Sequence, residues 1–259
     1  MALRMPRPLV EQMKEKPVLG PINLMPSALL VEQFCAAEFD FVWLDMEHGP
    51  HTMEDISNAI PICLGRGVTP IVRVPGVHDW ALKWVLDQGA RGVIFPFINS
   101  AEDAQAAISG CRYPETGHRG YFPNVAAMRW GMSADEYFAR ANDEIAVILQ
   151  IETAEAVEAL EEIAAVDGWD ALFVGPSDLS ISYGKIGQVD DPEVSGGIDR
   201  VLEFARAAGK HAGILAVAPE DVARRVDEGF DFIAVKPDVM IVEDAISDYA
   251  RQVGELLER

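Results

Sequence analysis

Residues 39–50 read FDFVWLDMEHGP. An apolar stretch from Phe39 to Leu44 stops abruptly at Asp45, Glu47 and His48, and Gly49-Pro50 then breaks the segment. A buried strand that ends in titratable groups aims them at a site rather than at bulk water. Three further apolar runs end the same way. Ile71-Val72 leads to Arg73, Val147-Ile148-Leu149 to Gln150 and Glu152, and Leu172-Phe173-Val174 to Gly175-Pro176-Ser177-Asp178.

Working outward, short runs rich in β-branched residues recur at 18–24, 39–45, 69–74, 91–97, 144–150, 169–175, 211–217 and 230–236. Most are unbroken rather than alternating, as in parallel strands buried on both faces. Between them the spacing predicts helices at Ser27–Ala37, Met53–Leu64, Trp80–Asp87, Ala101–Cys111, Ala154–Val166, Pro192–Ala208 and Pro219–Glu228, with Val242–Leu257 closing the chain. Gly after Gln88, Ala208 and Glu228 supplies the left-handed cap, and Thr153 and Pro219 open helices. Strict alternation implies right-handed crossovers and a parallel sheet. Eight units in 259 residues favour an α/β architecture closed as a (β/α)8 TIM barrel, one domain over 1–259. No Gly-x-Gly-x-x-Gly follows the first strand, so a dinucleotide fold has no support. The irregular stretch Pro114 to Ser133, with Arg119, Gly120, Arg129 and Trp130, is expected on the side where strands end.

Hydrophobic residues make up 49% of the chain, enough for a large core. The 42 acidic against 21 basic side chains give a net charge of −21, which argues against nucleic acid or an anionic membrane as partner. Cys35, Cys63 and Cys111 show no zinc spacing and no disulfide framework, which fits a reducing cytoplasm. Behind Met-Ala-Leu-Arg-Met-Pro no apolar leader follows, and no apolar run approaches a membrane span.

The strand ends collect Asp45, Glu47, His48, Arg73, Gln150, Glu152, Ser177 and Asp178, whereas the opposite ends near Gly20, Pro70, Glu144 and Gly168 are expected to carry no such set. In a barrel of this kind the first group is the place for an active site. Glu152 and Asp178, from the fifth and sixth strands, suit a hard divalent cation such as Mg²⁺ or Mn²⁺. Taken singly, each could equally be a solvated or helix-start acid; as a pair they point to a metal. Gly175-Pro176-Ser177-Asp178 reads as a turn into a short helix whose amides hold an anion. Arg73 can bind that anion or a developing oxyanion, though arginine also closes barrel tops as a structural ion pair. A lone histidine is more often structural, but His48 stands beside this set and suits acid–base work, with Asp45 as the carboxylate orienting its ring.

Six blocks in order resemble the class II pyruvate aldolases, the 4-hydroxy-2-oxoheptanedioate aldolase group: FDFVWLDMEHGP (39–50), VRVPG (72–76), LDQGARGVIFPFINSAEDA (86–104), RYPETGHRG (112–120), QIET (150–153) and GPSDLSISYG (175–184). The resemblance implies a barrel of the phosphoenolpyruvate/pyruvate-binding type and reversible aldol chemistry on 4-hydroxy-2-oxo acids. It implies His48 as catalytic base acting through a metal-bound water, with Asp45 as its partner, and Arg73 steadying the pyruvate carbonyl and enolate. Glu152 and Asp178 are then ligands of Mg²⁺, Mn²⁺ or Co²⁺, and Gln150 lies beside the substrate. Gly175, Pro176 and Ser177 form the turn that receives the carboxylate. Asp87 matches an acid given to a neighbouring subunit's site, implying a homo-oligomer, a hexamer. Ile22-Asn23, where relatives often have Trp, and Tyr121-Phe122-Pro123 are departures that bear on the aldehyde.

Three rivals remain at this point. A Schiff-base aldolase would need a lysine, with Lys236 as the candidate. A citrate-lyase-type enzyme would take a coenzyme A thioester, for which no basic patch is evident. A non-catalytic oligomeric pyruvate-binding barrel would not need the intact set of acids, arginine and histidine.

Overall fold

The computed structural model describes residues 5–77 and 79–257. The start of the chain, Met1 to Arg4, where no leader is expected, lies outside the described residues. Eight parallel strands close on themselves in sequence order. They are β1 (Val18–Asn23), β2 (Phe41–Asp45), β3 (Thr69–Arg73), β4 (Gly92–Phe95), β5 (Ala146–Ile151), β6 (Ala171–Val174), β7 (His211–Leu215) and β8 (Phe232–Val235). The helices are α1 (Leu9–Met13), α2 (Ala28–Ala36), α3 (Met53–Arg66), α4 (Asp79–Asp87), α5 (Ala101–Cys111), α6 (Asn124–Arg129), α7 (Ala134–Glu144), α8 (Ala154–Glu158), α9 (Leu160–Ala164), α10 (Pro176–Ser182), α11 (Pro192–Ala207), α12 (Pro219–Glu228) and α13 (Asp238–Leu257). The expected (β/α)8 barrel is therefore the observed one.

Successive strand residues face opposite sides, and both sides here are apolar, which is why the runs look unbroken. Val42, Leu44, Val72, Val147, Leu149 and Leu172 face the helices. Phe41, Trp43, Ile71, Ile148, Phe173 and Phe232 fill the barrel interior, with Leu9 and Met13 of α1 packed into the same cluster. The interior is built on aromatic rings, with Phe41 and Phe232 centred 4.8 Å apart and Trp43 and Phe173 4.9 Å apart. Rings of that size need absent side chains opposite them. A Cβ at Gly20 would stand 2.3 Å from the Phe41 carbonyl oxygen, and one at Gly213 would stand 2.5 Å from both Phe173 and Phe232 ring carbons.

Several expectations need correction. The predicted helix 154–166 is two short helices meeting at Ala159. The last helix begins at Asp238, earlier than Val242. Residues 134–144, to which periodicity assigns nothing, form α7, and the irregular stretch contains α6. That stretch also lies at the opposite end of the barrel from the one expected. α5 already carries the chain back from the end of β4, so residues 112–133 lie where strands begin: Trp130 Nε1 donates to the Gly89 carbonyl at 2.9 Å and its ring stacks on Arg91 at 4.0 Å. This end is not bare of charge either, since Arg91 pairs with Glu144 at 2.8 Å and Arg112 with Asp170 at 3.3 Å. These ions are mutually neutralised, which marks them as structural.

Candidate active site

The register sets the site. Parallel pairing places Asp45 level with Arg73, and Gln150 level with Phe173, so side chains distant in sequence reach one mouth. A cavity of about 240 Å³ opens there. Asp45, His48, Arg73, Gln150, Gly175, Pro176, Ser177 and Asp178 line its polar side; Ile22, Leu24, Trp43, Phe173, Leu215 and Pro237 line the apolar side.

Asp45 is fully buried. Its Oδ1 accepts from the backbone amides of Glu47 at 2.8 Å and His48 at 3.1 Å, and from Arg73 Nε at 3.2 Å. Its Oδ2 accepts from Arg73 Nη2. The carboxylate therefore fixes the turn after β2 and one edge of the guanidinium. Among the described residues it makes no hydrogen bond to the His48 ring. The ring instead has Glu47 as neighbour, with His48 Nε2 3.8 Å from Glu47 Oε2. The same Glu47 oxygen lies 3.0 Å from Arg73 Nη1. Burial pushes the Glu47 carboxyl above the usual range, while Arg73 and His48 pull it back.

Glu152 is buried at the end of β5. The Phe97 amide donates to its Oε1 at 2.8 Å, and Gln150 Nε2 donates to its Oε2. Phe97 adopts φ 51, a left-handed backbone uncommon outside glycine, in supplying that amide. A Cβ at Gly175 would stand 2.7 Å from Glu152 Oε2, so only glycine leaves room for the carboxylate. Burial, followed by the nearby Asp178 and Glu47 charges, pushes the Glu152 carboxyl up to about 7, against the Phe97 amide, which pulls it down. Among the described residues neither Glu152 nor Asp178 is in an ion pair. No group of three or more His, Cys, Asp or Glu side chains there is arranged to hold an ion unaided.

Asp87 stands apart from the cavity. It pairs with the buried Arg119 at 3.0 Å on the flank, with burial pushing its carboxyl up and Arg119 opposing. Lys236 does not line the cavity and pairs with Asp244 of α13.

Sequence reasoning missed a buried brace at the rim. Asp238 accepts from Asn23 Nδ2 at 2.7 Å and from the Leu24 and Met25 amides at 3.0 and 2.9 Å. His51 Nε2 lies 3.1 Å from the Asn23 carbonyl. The Lys236-Pro237-Asp238 end of the eighth run offered a signal for Asp238; the Phe97 amide, a backbone group, offered none.

A family model described as HpcH/HpaI aldolase/citrate lyase matches residues 24–245. The chain belongs to this family. Within the HpcH/HpaI family, a 2-dehydro-3,6-dideoxy-6-sulfogluconate aldolase of Pseudomonas putida is 39% identical over 224 residues, 86% of this chain and 88% of the relative. A hydroxypyruvate/pyruvate aldolase of Roseovarius nubinhibens is 36% identical over 211 residues, 82% of each. The crystal structure of an HpcH/HpaI aldolase/citrate lyase family protein from Burkholderia cenocepacia superposes with TM-score 0.88 at 32% identity, covering 95% of this chain and 98% of that one. The barrel expected from the sequence is thus also the family's.

Proposed function

We propose that this chain is a divalent-metal-dependent aldolase that reversibly cleaves 4-hydroxy-2-oxo acids to pyruvate, or hydroxypyruvate, and an aldehyde. The observation that carries the reading is a mouth lined by Arg73, His48 and Asp178, with the buried Glu152 beside it, two acids that have no ion-pair partner among the described residues. Relatives named as aldolases of 2-oxo acids support it.

The residues fit a hard cation. Glu152 and Asp178 offer oxygen donors from adjacent strand ends, and the Asp178 charge raises the cost of ionising Glu152. Gln150 Oε1 is buried without a partner beside them. Two protein carboxylates leave positions for waters and substrate, the usual arrangement for Mg²⁺ and acceptable to Mn²⁺ or Co²⁺. When bound, such a cation polarises the 2-oxo carbonyl as a Lewis acid.

The protein's own groups complete the chemistry. The substrate carboxylate is received by first-turn amides of α10, where Gly175-Pro176-Ser177 makes the turn. His48 takes the 4-hydroxyl proton; C3–C4 breaks, its electron pair forms the C2–C3 double bond, and the aldehyde leaves. Arg73, held by Asp45, faces the developing enolate oxygen. Protonation at C3 gives pyruvate; the reverse sequence joins pyruvate to an aldehyde. Ile22, Leu24 and Leu215 form an apolar wall for the part of the substrate beyond the reacting bond.

A homohexamer with shared sites is part of this proposal, with Asp87 offered to a neighbour. It is supported by α13, whose Ile246, Tyr249, Leu256 and Leu257 are exposed to a degree unusual for a monomer. The three cysteines are free and buried, in keeping with the cytoplasm. No helix among the described residues is long and apolar enough to cross a membrane.

The test is a panel of aldehydes with pyruvate and hydroxypyruvate, run with and without chelator. Chelator should abolish turnover, and Mg²⁺, Mn²⁺ or Co²⁺ should restore it. Borohydride trapping of pyruvate on Lys236 would overturn the reading in favour of a Schiff base. Unchanged turnover in His48→Ala would overturn the assigned base.

A further inference from the structure

The lining of the mouth divides by strand. Its polar groups follow or end β2, β3, β5 and β6. The remaining arc is β7, β8 and β1, which are neighbours in the closed sheet. Among the described residues this arc presents Leu215, Pro237, Ile22 and Leu24 to the cavity, all of them apolar. The arc does possess polar groups, but they are engaged away from the cavity. Asp238 receives Asn23 Nδ2 at 2.7 Å and the Leu24 and Met25 amides at 3.0 and 2.9 Å, and Lys236 pairs with Asp244 of α13. By holding the Leu24 amide, the Asp238 carboxylate also fixes the backbone from which one wall residue projects. Of the described residues that line the cavity, Arg73 is the one permanent cation, and it sits between Asp45 and Glu47.

We propose that the aldehyde partner of this chain is short, uncharged and apolar, selected by Ile22, Leu24, Leu215 and Pro237, an inference that rests on the aldolase reading of the site. With the carboxylate and carbonyl of the 2-oxo acid held on the polar arc, the carbon chain beyond C4 lies against the apolar arc. An aldehyde ending in a carboxylate brings a second anion to that arc with no cation to receive it, in a chain of net charge −21. A polyhydroxylated aldehyde leaves hydroxyls unpaired there, a cost that an alkyl chain avoids. The cavity of about 240 Å³ is below the ~300 Å³ at which ligand pockets usually begin, so the chain that fits beside a three-carbon acid is short. Each methylene buried against the wall is worth about fourfold in binding.

The experiment compares ethanal, propanal, butanal, 4-oxobutanoate and glyceraldehyde as acceptors for pyruvate, with Mg²⁺ present. In the wild type kcat/KM should rise about fourfold per methylene from ethanal to butanal. Butanal should exceed 4-oxobutanoate and glyceraldehyde by about tenfold or more, the low end of the cost of burying an unpaired polar group. Leu215→Arg, which supplies a cation to the wall, should lower kcat/KM for butanal and raise it for 4-oxobutanoate. Leu24→Ser is the milder change and should shrink the butanal advantage. Calorimetry with Mn²⁺ needs no aldehyde: 2-oxoheptanoate, whose tail is apolar, should bind about tenfold more tightly than 2-oxohexanedioate, whose tail is charged. A wild type that prefers 4-oxobutanoate or glyceraldehyde to butanal overturns the inference, and so does tighter binding of 2-oxohexanedioate. Should no aldehyde of any class react, the aldolase reading falls, while the calorimetry still decides what the wall accepts.

Discussion

Arg73 shows how much one side chain must do here. Its guanidinium sits between Asp45 and Glu47 and over the Trp43 ring at 5.1 Å, three contacts that use its planar shape. Lysine would keep the charge and lose the fork. Arg73→Lys should therefore lower kcat by about 100-fold, in line with loss of one preorganised oxyanion donor. Arg73→Ala should add a stability loss of about 3–5 kcal/mol, because Asp45 would stay buried and unpaired. Cleavage kinetics and urea unfolding separate the two. Gly175→Ala is the smaller change with a similar reach: its Cβ would occupy the Glu152 carboxylate's place, so metal-dependent activity should be lost while the circular dichroism spectrum is retained. At Glu152 and Asp178 the expected signature is thermal. Mn²⁺ at 100 times its Kd should stabilise wild type by about 2.7 kcal/mol, a rise in melting temperature of roughly 5–10 °C. Glu152→Gln or Asp178→Asn should remove most of that rise.

Elements differ in how openly the sequence announces them. The strands were legible because both of their faces are apolar, and the helices because Gly, Pro, Ser and Thr mark their ends. α7 carries a signal of another kind, in its cap rather than its periodicity. Ser133-Ala-Asp-Glu136 is a capping box, with Glu136 Oε2 receiving the Ser133 amide at 2.8 Å and Ser133 Oγ receiving the Glu136 amide at 3.2 Å. Ser133→Ala should cost about 1 kcal/mol in urea unfolding. The break between α8 and α9 has no such marker, since Ala159 at the junction is a good helix former. Inside the barrel, Gly20 faces the Phe41 backbone, which cannot move aside. Gly20→Ala should cost about 3 kcal/mol, the upper end of ordinary overpacking, or prevent folding, as judged by soluble yield and chemical unfolding.

Across the whole molecule, direction decides what counts as a site. Strands end at one face and begin at the other, and a helix reverses the chain between them. The stretch containing Arg119 and Trp130 comes after such a helix, so it belongs to the starting face even though it joins two strands. Charge is present at both ends, but at the ending face the buried Glu152 has no ion-pair partner among the described residues. The exposed apolar residues of α13 belong to this scale as well. Removal of residues 239–259 should convert the proposed hexamer to smaller species in light scattering, and an untruncated chain that is already monomeric would sink that proposal.

The order of the eight strands, most of the helices between them, the closed barrel, and most of the residues collected at its mouth were determined by the sequence itself. Local hydrophobic periodicity and end signals operate over a few residues, and a closed barrel leaves little freedom in joining them. The tertiary structure alone decided the partners: Arg73 between Asp45 and Glu47, the Phe97 amide on Glu152, and Asp238 bracing Asn23. Such choices depend on side-chain direction and on which oxygens are already occupied, and these are fixed only when strands distant in sequence settle into register.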